Sequence, residues 1–135
     1  MTLPVFDPPN DLTFAKPFWD AAERGEFVLP RCSICRRWQW YPDLAGPDCS
    51  GATLVWETLS GTGTVYTWTR IHRPFLPGHH LEQPYNIVLV ELDGADGPRI
   101  IGNLAGDQIP RIGMAVSLNF ERIGTHNHPV FVTAT

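Results

Sequence analysis

Thirteen prolines and twelve glycines in 135 residues punctuate this chain too often for long helices. Proline removes a backbone donor and clashes inside a helix, and glycine makes ordering the backbone more costly. The runs between these breakers favour Val, Ile, Thr, Trp and Tyr, which suit a pleated strand. A mainly β chain of short strands and turns is therefore expected. With 43% hydrophobic and 18% charged residues, it has the apolar content of a soluble globular protein. Its length suits one domain, or a small one with an appendage, and excludes a multidomain enzyme. No apolar run approaches the roughly 20 residues that span a bilayer. The amino-terminal MTLPVFDPPNDL lacks the basic-then-apolar order of a secretory leader, so cytoplasm is the expected compartment.

Charge argues about partners. Residues 1–40 carry five cations and five anions, whereas 41–135 carry five cations and nine anions. Phosphate neutralisation by Lys and Arg supplies most nucleic-acid affinity, so this distribution counts against a nucleic-acid partner.

Along the chain, the proline-rich first dozen residues read as an extended arm. One short helix of about two turns follows: Pro17 suits its first turn, Phe18, Trp19 and Ala22 share a face, and Gly25 stands where a left-handed cap is wanted. Phe27–Arg31 and Trp38–Tyr41 are predicted as brief strands around Cys32-Ser33-Ile34-Cys35. From Leu54 onward, Leu54–Leu59, Gly63–His72, Tyr85–Leu92, Arg99–Leu104, Val116–Glu121 and Val130–Thr133 alternate with turn residues, as in a small antiparallel barrel. In the second of these runs, alternation assigns Val65, Thr67, Thr69 and Ile71 to one face and Tyr66, Trp68, Arg70 and His72 to the other. The expected organisation is an arm and helix over 1–26, a cysteine-bearing ribbon over 27–53 and a barrel over 54–135.

Cys32 and Cys35 form a C-x-x-C knuckle, the spacing that lets two thiolates approach one tetrahedral zinc. The chain has one further cysteine, Cys49. Ten residues beyond Cys35 comes Gly46-Pro47-Asp48-Cys49, which has the form of a second knuckle with glycine in place of its first cysteine. In the alternative register the missing ligand falls at Ala52; Pro47 and the spacing favour Gly46. Cys32, Cys35 and Cys49 are thus the candidate metal ligands of a degenerate site, with zinc the metal and no organic cofactor. Three thiolates with water in the fourth position are also a set that catalytic zinc uses. A structural ribbon is the commoner origin of such knuckles, and a disulfide does not suit a reducing cytoplasm.

Several features occur in order: Lys16-Pro17-Phe18-Trp19-Asp20-Ala21-Ala22 with Gly25; Cys32 and Cys35; Trp56 before Ser60-Gly61-Thr62-Gly63-Thr64-Val65-Tyr66-Thr67-Trp68-Thr69; Pro84-Tyr85; and Arg111-Ile112-Gly113-Met114-Ala115-Val116. Over about residues 14–132 this succession resembles a family of zinc-ribbon plus OB-fold proteins, formerly a domain of unknown function, that accompany thiolases, aldolases and hydratases of acyl-CoA metabolism. The resemblance implies a helical amino-terminal segment, a rubredoxin-like ribbon and a carboxy-terminal OB barrel. It also implies an accessory subunit that docks on a thiolase-like, aldolase-like or hydratase partner and helps bind the CoA thioester. Gly46 departs from the family pattern, where a third zinc cysteine is usual.

The remaining candidates are weaker. His126 and His128 read as a surface turn with no acid or cysteine to complete a metal set. His79 and His80 sit in a long loop, Pro74 to Pro84. Ser60 and Ser117 lack a nucleophile elbow, and Gly61-Thr62-Gly63 precedes a strand where a phosphate loop precedes a helix. Arg70 and Arg73 are candidate contacts for CoA phosphates, since guanidinium forks phosphate well. The function expected from the resemblance is a non-catalytic accessory subunit of a thiolase-fold acyl-CoA enzyme of steroid or lipid degradation. Its rivals are a single-strand nucleic-acid module stacking bases on Tyr66 and Trp68, an accessory subunit of a hydratase, and a small zinc enzyme acting alone.

Overall fold

A computed structural model describes residues 15–42, 47, 49–73, 84–123 and 126–134. The amino-terminal arm, Gly46, His79, His80 and most of the Pro74–Pro84 loop lie outside these residues. Within them the architecture is one short helix, a two-stranded cysteine-bearing ribbon and a closed five-stranded barrel. No helix among the described residues is long and apolar enough to cross a membrane.

The helix, α1 (Lys16–Glu23), carries Pro17 in its first turn and buries Phe18, Ala21 and Ala22. It ends as the sequence foretells: Gly25 takes φ 73°, and the Arg24 and Gly25 amides donate to the carbonyls of Ala21 and Ala22. Strand β1 (Val28–Cys32) pairs antiparallel with β2 (Leu54–Thr58). This corrects the grouping of Leu54–Leu59 with the barrel. Only Leu59-Ser60-Gly61 separate β2 from the next strand, so the two runs look like one series, yet Leu59 N–H still donates to Phe27 in the ribbon while Gly61 accepts from Leu118 in the barrel. The Trp38–Tyr41 strand is also corrected: Trp38 makes a single bridge to Arg31, and Gln39 N–H bonds the Pro30 carbonyl. Proline in β1 offers its neighbour an acceptor but no donor, which limits the ladder.

The barrel runs β3 (Thr62–Ile71), β4 (Tyr85–Leu92), β5 (Arg99–Leu104), β7 (His126–Thr133), β6 (Ala115–Ile123), and closes back on β3. The β5–β7 contact is parallel and all others are antiparallel. This is the five-stranded Greek-key arrangement of the OB fold. Strand β7 begins at His126, which corrects the turn expected there: Asn127 pairs with Arg122, His128 with Glu121 and Pro129 with Phe120 across β6. Pro129 is tolerated because β7 has partners on both sides only near its far end, at Val130 and Phe131.

A bulge at Tyr66 overturns the alternation expected along β3. Val65 lies opposite Val90, but Thr67 lies opposite Leu89, so Tyr66 is the extra residue. Beyond it the faces exchange. Trp68 opposes buried Val88 and Arg70 opposes buried Asn86, while Thr67 and Thr69 are exposed.

Inside the barrel, Val65, Val88, Val90, Ile100, Leu104, Val116, Leu118 and Phe131 form one cluster that continues through Phe18, Phe27 and Leu29 into the helix and ribbon. Gly63 allows the close approach of strands at the closure point, because a Cβ there would collide with the Glu91 carbonyl and lie 2.8 Å from a Val90 methyl. Among the described residues Asn86 is the buried polar side chain, 1% exposed. Its amide donates to the Gln108 carbonyl at 2.8 Å and its oxygen accepts from Arg70 at 3.1 Å, tying the loop after β5 to the barrel.

The helix is clasped to the β6–β7 hairpin. The Glu23 carboxylate accepts from Arg122 at 2.5 Å and from the Asn127 amide at 2.8 Å. The Asn127 side chain in turn donates to the Ala22 carbonyl at 2.9 Å, and Trp19 packs edge-on against His128.

Candidate metal centre

Cys32 closes β1, and the chain then turns sharply. The Arg36 amide donates to the Cys32 carbonyl at 3.0 Å, the Cys32 amide to the Arg37 carbonyl at 2.9 Å, and the Ile34 amide to the Cys32 sulfur at 3.4 Å. Arg36 takes φ 63°, a left-handed conformation that side chains with a Cβ adopt at a cost of about 1–2 kcal/mol. Two contacts offset this: its carbonyl accepts from Arg31 Nε at 2.9 Å, and its guanidinium pairs with Glu57.

Cys49 arrives from a separate turn in which the Ala52 amide bonds the Cys49 carbonyl. That turn is fixed to the knuckle at Ser33, whose amide donates to the Thr53 carbonyl at 2.9 Å and whose hydroxyl accepts from the Thr53 amide at 3.1 Å. As a result the sulfurs of Cys32, Cys35 and Cys49 lie within 4.8 Å of one another. Zinc bound at about 2.3 Å to each sulfur of a tetrahedron sets them about 3.8 Å apart, so this donor set fits three zinc ligands after a small contraction. No fourth His, Cys, Asp or Glu joins the group among the described residues.

The thiols interact strongly. Hydrogen bonding from the Cys35 amide, and less so from Ile34, brings Cys32 down to about 7 against the opposing effect of burial. Cys49 is pushed up to about 11, first by sharing its proton with Cys35 and then with Cys32. A zinc ion would displace those protons, which makes its affinity pH-dependent.

A group of arginines that sequence reasoning passed over surrounds the knuckle. Arg31 and Arg36 share the Glu57 carboxylate, and their hydrogen bonds, that of Arg36 foremost, hold it below the usual glutamate range. The Arg31 guanidinium also lies 4.3 Å over the Trp38 ring. With Arg37, Cys35 and Trp40 they line a groove of about 1080 Å³ whose other wall is the turn between β4 and β5, with Asp93 and Asp96. The C-x-x-C-R-R run was the available signal, but its salt partner lies 21 residues beyond Arg36 and is invisible without the pairing of β1 and β2.

Arg70 and Arg73 are not brought to this centre. Gly63, near the start of β3, pairs with Leu92 beside the groove, whereas Arg70 pairs with Asn86 toward the opposite end of β4. Arg70 Nη1 donates to the Asn86 side chain and to the Asp107 carbonyl at 3.4 Å; Arg73 is exposed. Tyr66 is exposed beneath Arg99, 3.8 Å above its ring, while the bulge turns Trp68 inward. The two aromatics therefore do not form one stacking platform.

Two family models match in succession: one described as "ChsH2, rubredoxin-like zinc ribbon domain" over residues 19–55, and one described as "ChsH2, C-terminal OB-fold domain" over 56–121. Among solved structures, a chain of the "Ltp2-ChsH2(DUF35) aldolase" superposes with a TM-score of 0.82 at 30% identity, covering 95% of this chain and 100% of that one. A protein of unknown function from the DUF35 family of Sulfolobus solfataricus matches with a TM-score of 0.60 at 14% identity, over 91% and 87% of the two chains, and so shares the fold. A "Probable enoyl-CoA hydratase alpha subunit" of Thermomonospora curvata is 37% identical over 109 residues, 76% of this chain. The chain spans about a third of that relative, 32% of its length.

Proposed function

The chain belongs to the ChsH2 family of zinc-ribbon and OB-fold proteins, and from that premise we propose that it is a non-catalytic accessory subunit of a thiolase-fold acyl-CoA enzyme, an aldolase or thiolase of steroid or lipid degradation. The observation that carries this reading is the 0.82 superposition over the full length of a chain from the Ltp2-ChsH2 aldolase. The chemistry of the site agrees with it. The three cysteines join two separate turns of the ribbon, so zinc held by Cys32, Cys35 and Cys49 would act as a brace, and among the described residues no His, Asp or Glu joins their cluster to serve as a base. The ribbon's aromatic and cationic wall, with Arg31, Arg37 and Trp38, supplies surface for the partner, and Arg70 near the end of β3 and exposed Arg73 just beyond it are candidates for CoA phosphates.

A second reading, accessory subunit of an acyl-CoA hydratase, rests on the 37% identity to part of the hydratase alpha subunit. A nucleic-acid module is disfavoured by the excess of acids after residue 40 and by the separated Tyr66 and Trp68. Co-expression with candidate thiolase-like and hydratase-like enzymes distinguishes the first two readings. The expected result is a stable complex with the thiolase-like enzyme and higher activity or solubility of that enzyme, while the isolated chain turns over no acyl-CoA. Turnover by the isolated chain that disappears on changing Cys32, Cys35 or Cys49 to serine would instead make it a zinc enzyme.

A further inference from the structure

We propose that Cys35 and Cys49 form a peroxide-sensitive dithiol, closing a disulfide that dismantles the metal centre. Each of the three cysteines in the chain lies in this one cluster, yet they differ in access. Cys35 is exposed and lines the solvent-open groove beside Arg31, Arg36 and Arg37, where a small oxidant reaches it. Cys32 is buried at the end of β1, paired with Leu54, held by backbone bonds to Arg36 and Arg37, and its sulfur accepts the Ile34 amide. Cys49 is half-buried, stands outside any strand, and its sulfur is already within 4.8 Å of that of Cys35. Closing that distance to the roughly 2.05 Å of a disulfide requires side-chain rotation, for which exposed Cys35 and half-buried Cys49 have more room than buried Cys32.

The oxidant is hydrogen peroxide, and the steps balance. The Cys35 thiol and one peroxide give a sulfenic acid and water; the Cys49 thiol then attacks that sulfur, forming the S–S bond and expelling a second water. Two electrons leave the two thiols. Cys32 remains as a single thiol, and one sulfur cannot hold zinc in competition with solvent, so any bound metal is released.

The test uses the full chain loaded with zinc and treated with a small excess of hydrogen peroxide, followed by alkylation, peptide mapping and a chromogenic zinc indicator. Expected are a fall from three alkylatable thiols to one, a Cys35–Cys49 linked peptide, release of zinc, and reversal of the thiol loss by dithiothreitol. Cys49→Ser should abolish the linked peptide and leave a Cys35 sulfenic acid that dimedone traps, whereas Cys32→Ser should still form it. Retention of all three thiols, a Cys32–Cys35 link, or linkage only between chains would overturn the proposal. The mapping on the unaltered chain decides this even where a variant fails to fold.

Discussion

Asn86 offers a direct measure of what a buried polar side chain contributes to this barrel. Its replacement by leucine keeps the branched heavy-atom shape and removes two hydrogen bonds, one to the Gln108 carbonyl and one from Arg70. Arg70 retains the Asp107 carbonyl and access to water, so its loss is small. The Gln108 carbonyl is left without its donor, which costs about 1–3 kcal/mol. A total near 2 kcal/mol is expected. At about 2.1 cal/mol/K of unfolding entropy per residue, this chain gains roughly 0.28 kcal/mol/K, so the melting temperature should fall by about 7 °C. Thermal unfolding of the full chain followed by circular dichroism reads this directly, with urea unfolding as a check. Asn86→Asp keeps an acceptor for Arg70 but turns a carboxylate oxygen toward the Gln108 carbonyl, and should be at least as damaging at neutral pH. A shift of less than about 2 °C for Asn86→Leu would mean that water or a rearranged loop satisfies Gln108, and the reasoning from the bond pattern would fail.

Trp40 packs against Phe18 and Tyr41 at ring separations of 4.9 and 5.0 Å, so Trp40→Ala should lower the stability of the isolated chain by about 2–3 kcal/mol in urea unfolding, before any partner is added. Gly46→Cys should raise zinc affinity by supplying a fourth thiolate, measured by competition with a chelator, while Ala52→Cys should leave it unchanged. Hydrogen bonds from the Asn127 amide, first, and from Arg122 hold the Glu23 carboxyl below its ordinary range, so its contribution is present at neutral pH and is lost as acid protonates it. Glu23→Gln should accordingly unfold more easily than the native chain at pH 7, and the gap should close below the ordinary glutamate range.

Local signals carried the helix and most of the barrel. Pro17 and Gly25 mark the ends of α1 through fixed φ and permitted positive φ, properties of single residues that need no tertiary context. The same holds for β4 and β5, whose predicted limits, Tyr85–Leu92 and Arg99–Leu104, coincide with the strands. Alternation along β3 failed at Tyr66 because a bulge is set by the partner strand's register, and nothing within β3 announces it. Leu54–Thr58 was assigned to the wrong sheet for a related reason, since strand pattern reports burial and not the identity of the neighbour. At the candidate site, C-x-x-C named two cysteines and spacing suggested the third, but the arginine wall depends on Glu57 arriving from β2. The bonds from Arg70 to Asn86 and Asp107 were not legible either, because those partners are distant in sequence.

The clasp between α1 and the last hairpin has a bearing on biosynthesis. Glu23 and Asn127 are separated by 104 positions, so the helix leaves the ribosome well before the strand that holds its carboxylate has been made. An eight-residue helix is too short to persist alone in water. Until β7 emerges, Trp19 lacks His128 and the carboxylate of Glu23 lacks its Asn127 partner, so the helix is held only by what Phe18 makes with Phe27 and Trp40 of the ribbon. Synthesis at about 5–20 residues per second leaves that segment exposed for several seconds. A chaperone or the waiting partner enzyme has this interval in which to cover it, and arrest of translation before residue 126 should yield chains that are held by chaperones and cut by protease near α1.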